Sequence, residues 1–96
     1  MEWTWDSAKD RANLRKHGLT FETAALVFDD PLAVTRLDHH FSEQRWRTVG
    51  MVGNTVLFVV HTWPDIDPLT GDEVGRIISA RKATTRERKA YEEGKF

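Results

Sequence analysis

The sequence has no cysteine and no long apolar run, and each absence excludes a class of protein. Without cysteine, a chain of 96 residues forms neither a disulfide bond nor a thiolate zinc site. No apolar run approaches the roughly 18 residues needed to cross a bilayer, and the first six residues lack the basic and apolar segments of a signal peptide. We therefore expect a cytoplasmic protein with no membrane partner.

Apolar residues make up 40% of the chain and include four Trp and five Phe, which is enough material for a buried core. A chain this short cannot supply two cores, because each would bury too little surface to offset its conformational entropy. We expect one domain over residues 1–96.

The formal net charge is only −1, but the charges are unevenly distributed. Residues 76–96 carry seven bases against three acids, whereas residues 1–75 carry seven bases against twelve acids. Because the local field matters more than the total charge, we expect the C-terminal fifth of the chain to attract a polyanion.

Local signals predict two helices near the N-terminus and one near the C-terminus. Asp6 can cap a first helix over 7–17, and Thr20 can cap a second helix with an apolar stripe. A capping box that begins at Thr84 opens a third helix, which runs to Gly94.

From Leu32 onward the apolar period changes to two, which predicts strands. The candidates cover residues 32–37, 44–51, 55–63 and 74–82. The turn at Gly53-Asn54 predicts an antiparallel hairpin, a longer acidic loop follows over 64–72, and residues 3–5 form a short strand or anchor. Together the elements predict an α+β fold, with a small antiparallel β-sheet, two N-terminal helices and one C-terminal helix.

The strand over 74–82 carries basic residues whose role has two possible interpretations. Strict alternation places Arg81 on the face of Ile77, and Arg76 and Lys82 on the other face. The plainer interpretation is that these bases extend to solvent at strand ends. The other starts from RNA cleavage, in which a 2′-hydroxyl attacks the adjacent phosphate, since guanidinium groups match the charge that builds on the phosphoryl oxygens.

The head of the predicted hairpin offers further polar groups. Glu43 and Arg45 stand there, and Arg45 shares a face with Arg47, so two more guanidinium groups can join a site on the sheet. The alternative is that the arginines form ion pairs with Glu43 or with the acidic residues of the 65–73 loop.

Four histidines remain, and none is decisive, although His61 is of most interest for proton transfer. His61 lies on the strand over 55–63, where it is either a satisfied inner residue or a general acid or base. His39 and His40 are adjacent and lack a further spaced ligand, so they make a poor metal site. We expect no metal and no cofactor.

Residues over nearly the whole chain resemble one family of small bacterial toxins. They are Trp5-Asp6, Lys9, Asn13, Lys16-His17-Gly18, Phe21-Glu22, Ala24, Val27-Phe28, Arg45, Gly50, the run from Arg76 to Ala83, Glu87-Arg88 and Tyr91. The run from Arg76 to Ala83 is the most specific part, because eight fixed positions on one strand rarely agree by accident. The pattern is similar to that of the BrnT toxins.

The resemblance implies a RelE-like fold, ribonuclease activity and a protein partner. The usual partner in such systems is BrnA, a ribbon-helix-helix antitoxin encoded alongside, and the pair represses its own operator. Operator DNA would then be reached only through the antitoxin.

We therefore expect the toxin of a type II toxin–antitoxin system, an endoribonuclease that cleaves RNA without metal and inhibits translation. The residues expected to act in cleavage are Arg81, Arg76, Arg45, Lys82, His61 and Glu43. The arginines would bind the scissile phosphate and its transition state, the lysine would assist, and the histidine or the glutamate would be the base. The rival expectation is a non-catalytic module that binds a ribbon-helix-helix DNA-binding partner and modulates operator repression.

Overall fold

The structure is a computed structural model that describes residues 1–39 and 44–96. Within these ranges the chain forms six strands, three α-helices and one 3-10 helix. In chain order they are β1 (Glu2–Thr4), α1 (Ser7–His17), α2 (Phe21–Ala24), the 3-10 helix (Ala25–Asp29), β2 (Val34–Asp38), β3 (Arg45–Val52), β4 (Thr55–His61), β5 (Asp65–Ile66), β6 (Glu73–Lys82) and α3 (Thr85–Glu92). The α+β class predicted from the sequence is confirmed.

The helices begin where their capping residues predict. Asp6 accepts a hydrogen bond from the Lys9 backbone N–H at 3.0 Å, and Thr20 accepts one from Thr23 at 3.2 Å. Thr84 and Glu87 form the full capping box at the start of α3. In the described ranges, no helix is long and apolar enough to cross a membrane.

The sheet is mixed and not purely antiparallel, so that part of the prediction is wrong. Its strand order is β1-β6-β4-β3-β2, and β1 pairs with β6 in parallel. The intervening chain serves as the long crossover that a parallel pair needs. The acidic loop is also shorter than predicted, because Asp65 and Ile66 form β5 against β6.

A β-bulge in β6 changes which side chains share a face. Val60 of β4 pairs with Ser79, but the next residue, His61, pairs with Ile77, so Ile78 is an extra residue. Strict alternation along 74–82 is therefore wrong beyond this point. Ile77 and Ala80 both lie in the core, three positions apart along the chain.

One face of the sheet packs against α1, α2 and the 3-10 helix, and we call it the helix-covered face. Phe21, Ala24 and Val27 of the helices are fully buried against the sheet. Their partners in the core are Leu57, Val59, Ile77 and Ala80. Burial of this apolar surface is the main stabilising contribution to the fold, on the scale of about 25 cal/mol per Å².

Candidate functional site

Five arginines lie on the sheet face opposite α1, α2 and the 3-10 helix, and we call this surface the arginine face. They are Arg36 of β2, Arg45 and Arg47 of β3, and Arg76 and Arg81 of β6. Because of the bulge, Arg76 and Arg81 both alternate with buried residues that point to the helices. The prediction from strict alternation, which places Arg76 and Arg81 on opposite faces, is wrong because it does not include the bulge.

Arg36 and Arg47 are directly opposite each other in the antiparallel register of β2 and β3. Like charges in that arrangement are destabilising unless an opposite charge lies close to them. The Asp38 carboxylate is 3.8 Å from the Arg47 guanidinium, and the buried Nε atom of Arg47 has no hydrogen-bond partner among the described residues. The pair is thus suited to receive an anion.

Two phenylalanine rings support the guanidinium groups from below. The Arg81 guanidinium lies 4.2 Å from the centroid of the Phe58 ring, and that of Arg47 lies 5.7 Å from the Phe96 ring. The two rings contact each other edge to face, and the Phe96 carbonyl accepts a hydrogen bond from Arg36 Nε at 2.6 Å. These contacts hold three arginines at fixed positions across the sheet.

Arg81 is already engaged by a carboxylate. Its Nη1 and Nη2 atoms donate to Glu87 Oε1 and Oε2 at 2.7 and 3.0 Å. The hydrogen bonds raise the pKa of Arg81 and lower that of Glu87. Glu87 also accepts from the Thr84 backbone N–H at 2.8 Å, so the ion pair joins β6 to the start of α3.

His61 lies on the helix-covered face and not with the arginines. It is 1% exposed, its Nδ1 is 2.7 Å from the Thr62 carbonyl oxygen and its Nε2 is 2.6 Å from Thr48 Oγ1. A carbonyl only accepts, so Nδ1 donates and Nε2 accepts from the threonine hydroxyl. Burial lowers the pKa of His61 and keeps the ring neutral. Of the two alternatives that the sequence leaves open, this geometry matches the first, a buried residue whose ring nitrogens are both hydrogen-bonded.

Two further residues predicted from the sequence, Lys82 and Glu43, are not among the described residues of the arginine face. Lys82 is exposed and pairs in register with the buried Leu57, which assigns it to the other side of β6 from Arg81. Glu43 and His40 lie outside the described residues. In the part of the chain that is described, no three His, Cys, Asp or Glu side chains converge on a possible metal position.

Sequence reasoning missed Arg36 as a member of the site. The predicted strand over 32–37 contains it, but its place depends on the register that sets it opposite Arg47. The sequence does contain a signal for this pairing. The connection between the predicted strands over 32–37 and 44–51 is short, and a short connection indicates an antiparallel pair.

A known protein family matches most of this chain. A family model described as ribonuclease toxin, BrnT, of type II toxin-antitoxin system matches residues 5–87. The match includes all of β2 to β6 and hence all five residues of the arginine face. No curated protein matches the chain.

Proposed function

The chain belongs to the BrnT family of ribonuclease toxins of type II toxin–antitoxin systems, and from this premise we propose that it cleaves RNA on the arginine face. The supporting observation is the bulge at Ile78, which brings Arg76 and Arg81 to the face that carries the arginines of β2 and β3. Clustered guanidinium groups attract the phosphate backbone and match its geometry.

In the proposed reaction, the ribose 2′-oxygen bonds to phosphorus and the bond to the 5′-oxygen breaks. The products are a 2′,3′-cyclic phosphate and a 5′-hydroxyl. Arg45, Arg76 and Arg81 bind the phosphoryl oxygens, on which negative charge increases in the transition state. Lys82 lies on the other side of β6 from Arg81, so we propose that it assists only by adding positive charge at the end of the strand.

The proposed base is Glu43, two residues before Arg45 in the sequence. It takes the proton of the 2′-hydroxyl, and the leaving 5′-oxygen takes a proton from solvent. We leave His61 out of this role, because both of its ring nitrogens are hydrogen-bonded in the core.

We propose that cleavage needs no metal, because the guanidinium groups can supply the positive charge that the transition state requires. The measurement is cleavage of an RNA oligonucleotide by the purified chain in EDTA. Undiminished cleavage supports the proposal, and loss that a divalent ion restores contradicts it.

The main test compares arginine variants by cleavage rate and melting temperature on the same preparations. We expect Arg76→Ala and Arg45→Ala to lose about two to three orders of magnitude in rate, which is the scale for one removed transition-state donor. The matched control is Arg86→Ala, since Arg86 is exposed on α3 and outside the arginine face. Full activity in the first two variants would contradict the proposed site.

Arg81 needs a separate comparison because it also holds Glu87. Arg81→Ala removes both the phosphate contact and the ion pair, whereas Glu87→Gln removes the charge of the partner and keeps the guanidinium. If Arg81 binds phosphate, Glu87→Gln keeps cleavage while Arg81→Ala loses about two to three orders of magnitude. Arg81→Lys is also impaired, because an ammonium cannot reproduce a two-pronged contact.

The engagement of Arg81 by Glu87 favours a second candidate function, the non-catalytic module. In that case the basic strand serves the fold and binding of a ribbon-helix-helix partner, and the complex modulates operator repression. Its signature is a purified wild-type chain that does not cleave RNA, together with an Arg81→Ala variant that no longer binds the antitoxin.

The finer expectations of the family resemblance are also part of our proposal. They are a RelE-like fold, inhibition of translation in the cytoplasm, and neutralisation by a BrnA-like ribbon-helix-helix antitoxin. Operator DNA is contacted only through that antitoxin.

A further inference from the structure

A cavity of about 310 Å³ lies on the helix-covered side of the sheet, at the end where β4 leads into β5. Four aromatic rings and two carboxylates line it, together with Thr35 and apolar residues. The rings are those of Trp3, Phe28, His61 and Trp63, and the carboxylates are those of Asp65 and Glu73. We call it the aromatic cavity.

The rings of the aromatic cavity are fixed by one another. Trp3 stacks on Phe28 with centroids 4.0 Å apart, and His61 meets both rings edge to face, at 5.1 and 4.9 Å. Because burial keeps the pKa of His61 low, that ring adds no positive charge. No Lys or Arg side chain is among the lining residues.

This lining selects a cation. The faces of aromatic rings attract positive charge, and the carboxylates of Asp65 and Glu73 add negative charge. A guanidinium group fits best, because it is planar, stacks on rings and donates to a carboxylate through two N–H groups. A phosphate would be repelled, so the cavity is not an extension of the arginine face.

The surroundings of the cavity indicate that the cation belongs to a protein. Met1, Trp63 and Ile66 line it and are 71%, 58% and 57% exposed. Exposed apolar side chains grouped in this way mark a contact with another macromolecule. They would contact apolar residues on either side of the arginine.

We propose that the aromatic cavity receives an arginine side chain of the antitoxin, from a segment in which apolar residues flank that arginine. The inference rests on the antitoxin partner that the family implies and does not depend on RNA cleavage. The two binding functions then use opposite faces of the sheet.

The test uses the purified chain and a tripeptide probe, acetyl-Leu-Arg-Leu-amide, whose binding is followed by NMR of the tryptophan indole N–H signals. The comparison probe contains citrulline in place of arginine and has nearly the same shape but no charge. We expect a saturable shift of the Trp63 signal, identified with Trp63→Phe, and an affinity about tenfold higher for the arginine peptide.

Two variants separate the cavity from general charge effects. Glu73→Gln should weaken binding of the arginine peptide several-fold and leave the citrulline peptide unchanged. Glu22→Gln removes an exposed carboxylate on α2 that does not line the cavity, so it should bind as wild type does. Melting temperatures of both variants establish that they are folded.

Three results would overturn the proposal. They are equal affinity for the two peptides, unchanged affinity in Glu73→Gln, or binding of ethylguanidinium as tight as that of the peptide, which would indicate a small-cation site. The Arg76→Ala variant should bind the peptide normally. Failure of RNA cleavage and failure of this inference are therefore separate outcomes.

Discussion

His61 is a single residue on which the pH dependence of stability depends. It is buried and neutral, and burial lowers its pKa below the ordinary value of 6.5. In the unfolded chain the same imidazole is hydrated and takes up a proton more readily. The unfolded state therefore binds more protons than the native state once the pH falls below about 6.5.

We expect the wild-type melting temperature to be constant from about pH 8 to pH 7 and to fall as the pH drops through about 6.5. Below that pH the unfolded state is stabilised by the proton that its imidazole binds, and the native state is not. His61→Gln should be less stable at pH 7 but should lose less stability between pH 7 and pH 5. His17→Gln, which changes a histidine at the end of α1, is the control and should keep the wild-type slope. Parallel curves for wild type and His61→Gln would contradict the assignment.

At the residue scale, the sequence identifies which side chains suit a phosphate but not which of them meet. Arg81 is predicted to bind the scissile phosphate, and in the structure Glu87, six positions along the chain, holds both of its Nη atoms. Both readings of His61 were compatible with its position on a strand. Burial and the partners of its two nitrogens decide between them, and these depend on packing from distant parts of the chain.

At the scale of elements, Asn13 joins α1 to β6. Its Nδ2 donates to the carbonyls of Ala80 and Leu19 at 2.8 and 3.1 Å, and its Oδ1 accepts from the Ala80 backbone N–H at 3.1 Å. The side-chain amide thus pairs with the β6 backbone in the way that a neighbouring strand would. Asn13 is only 7% exposed, so water cannot readily replace these bonds.

Replacing Asn13 should therefore cost far more than an ordinary helix substitution. For Asn13→Ala we expect the free energy of unfolding to fall by about 2–4 kcal/mol, since buried backbone groups of Ala80 lose their partners. Asn13→Asp should also destabilise, because a carboxylate cannot donate to the two carbonyls. Urea unfolding is the measurement, with exposed Lys16→Ala on the same helix as control. A loss below about 0.5 kcal/mol would show that the bridge is unimportant.

The elements predicted from local signals are largely found, whereas long-range pairings are not. Helix starts depend on caps within four residues, and the β3–β4 hairpin on its Gly53-Asn54 turn, so the sequence contains their determinants. The parallel pairing of β1 with β6 joins residues about 70 positions apart, as in Trp3 with Gly75. No sequence signal marks Ile78 as the extra residue of a bulge. Because of that bulge, every side chain after it in β6 lies on the face opposite to the predicted one.

At the scale of the whole molecule, the arginine face and the aromatic cavity lie on opposite sides of the sheet. The arginine face carries five guanidinium groups, and the aromatic cavity on the other side is lined by two carboxylates and by no Lys or Arg side chain. The formal net charge of −1 conceals this arrangement. A polyanion and a cationic segment of a partner are thus attracted to opposite sides of one small molecule.

This separation predicts a defined salt dependence for RNA binding. Each phosphate neutralised on a single strand contributes about −0.7 to the slope of log affinity against log salt, so contacts with three to five arginines give a slope of about −2 to −3.5. Arg36→Gln or Arg47→Gln should each reduce the magnitude of the slope by about 0.7. Lys9→Gln, which removes an exposed charge on α1, should leave it unchanged because α1 lies against the helix-covered face.

The measurement is fluorescence anisotropy with a labelled 2′-O-methyl RNA oligonucleotide, which binds but lacks the attacking hydroxyl, between about 50 and 200 mM salt. Because cleavage is blocked, the slope reports binding alone and stays informative even if the chain has no ribonuclease activity. A slope near zero would exclude the arginine face as an RNA surface. An equal effect of Lys9→Gln would show that RNA responds to total charge and not to this face.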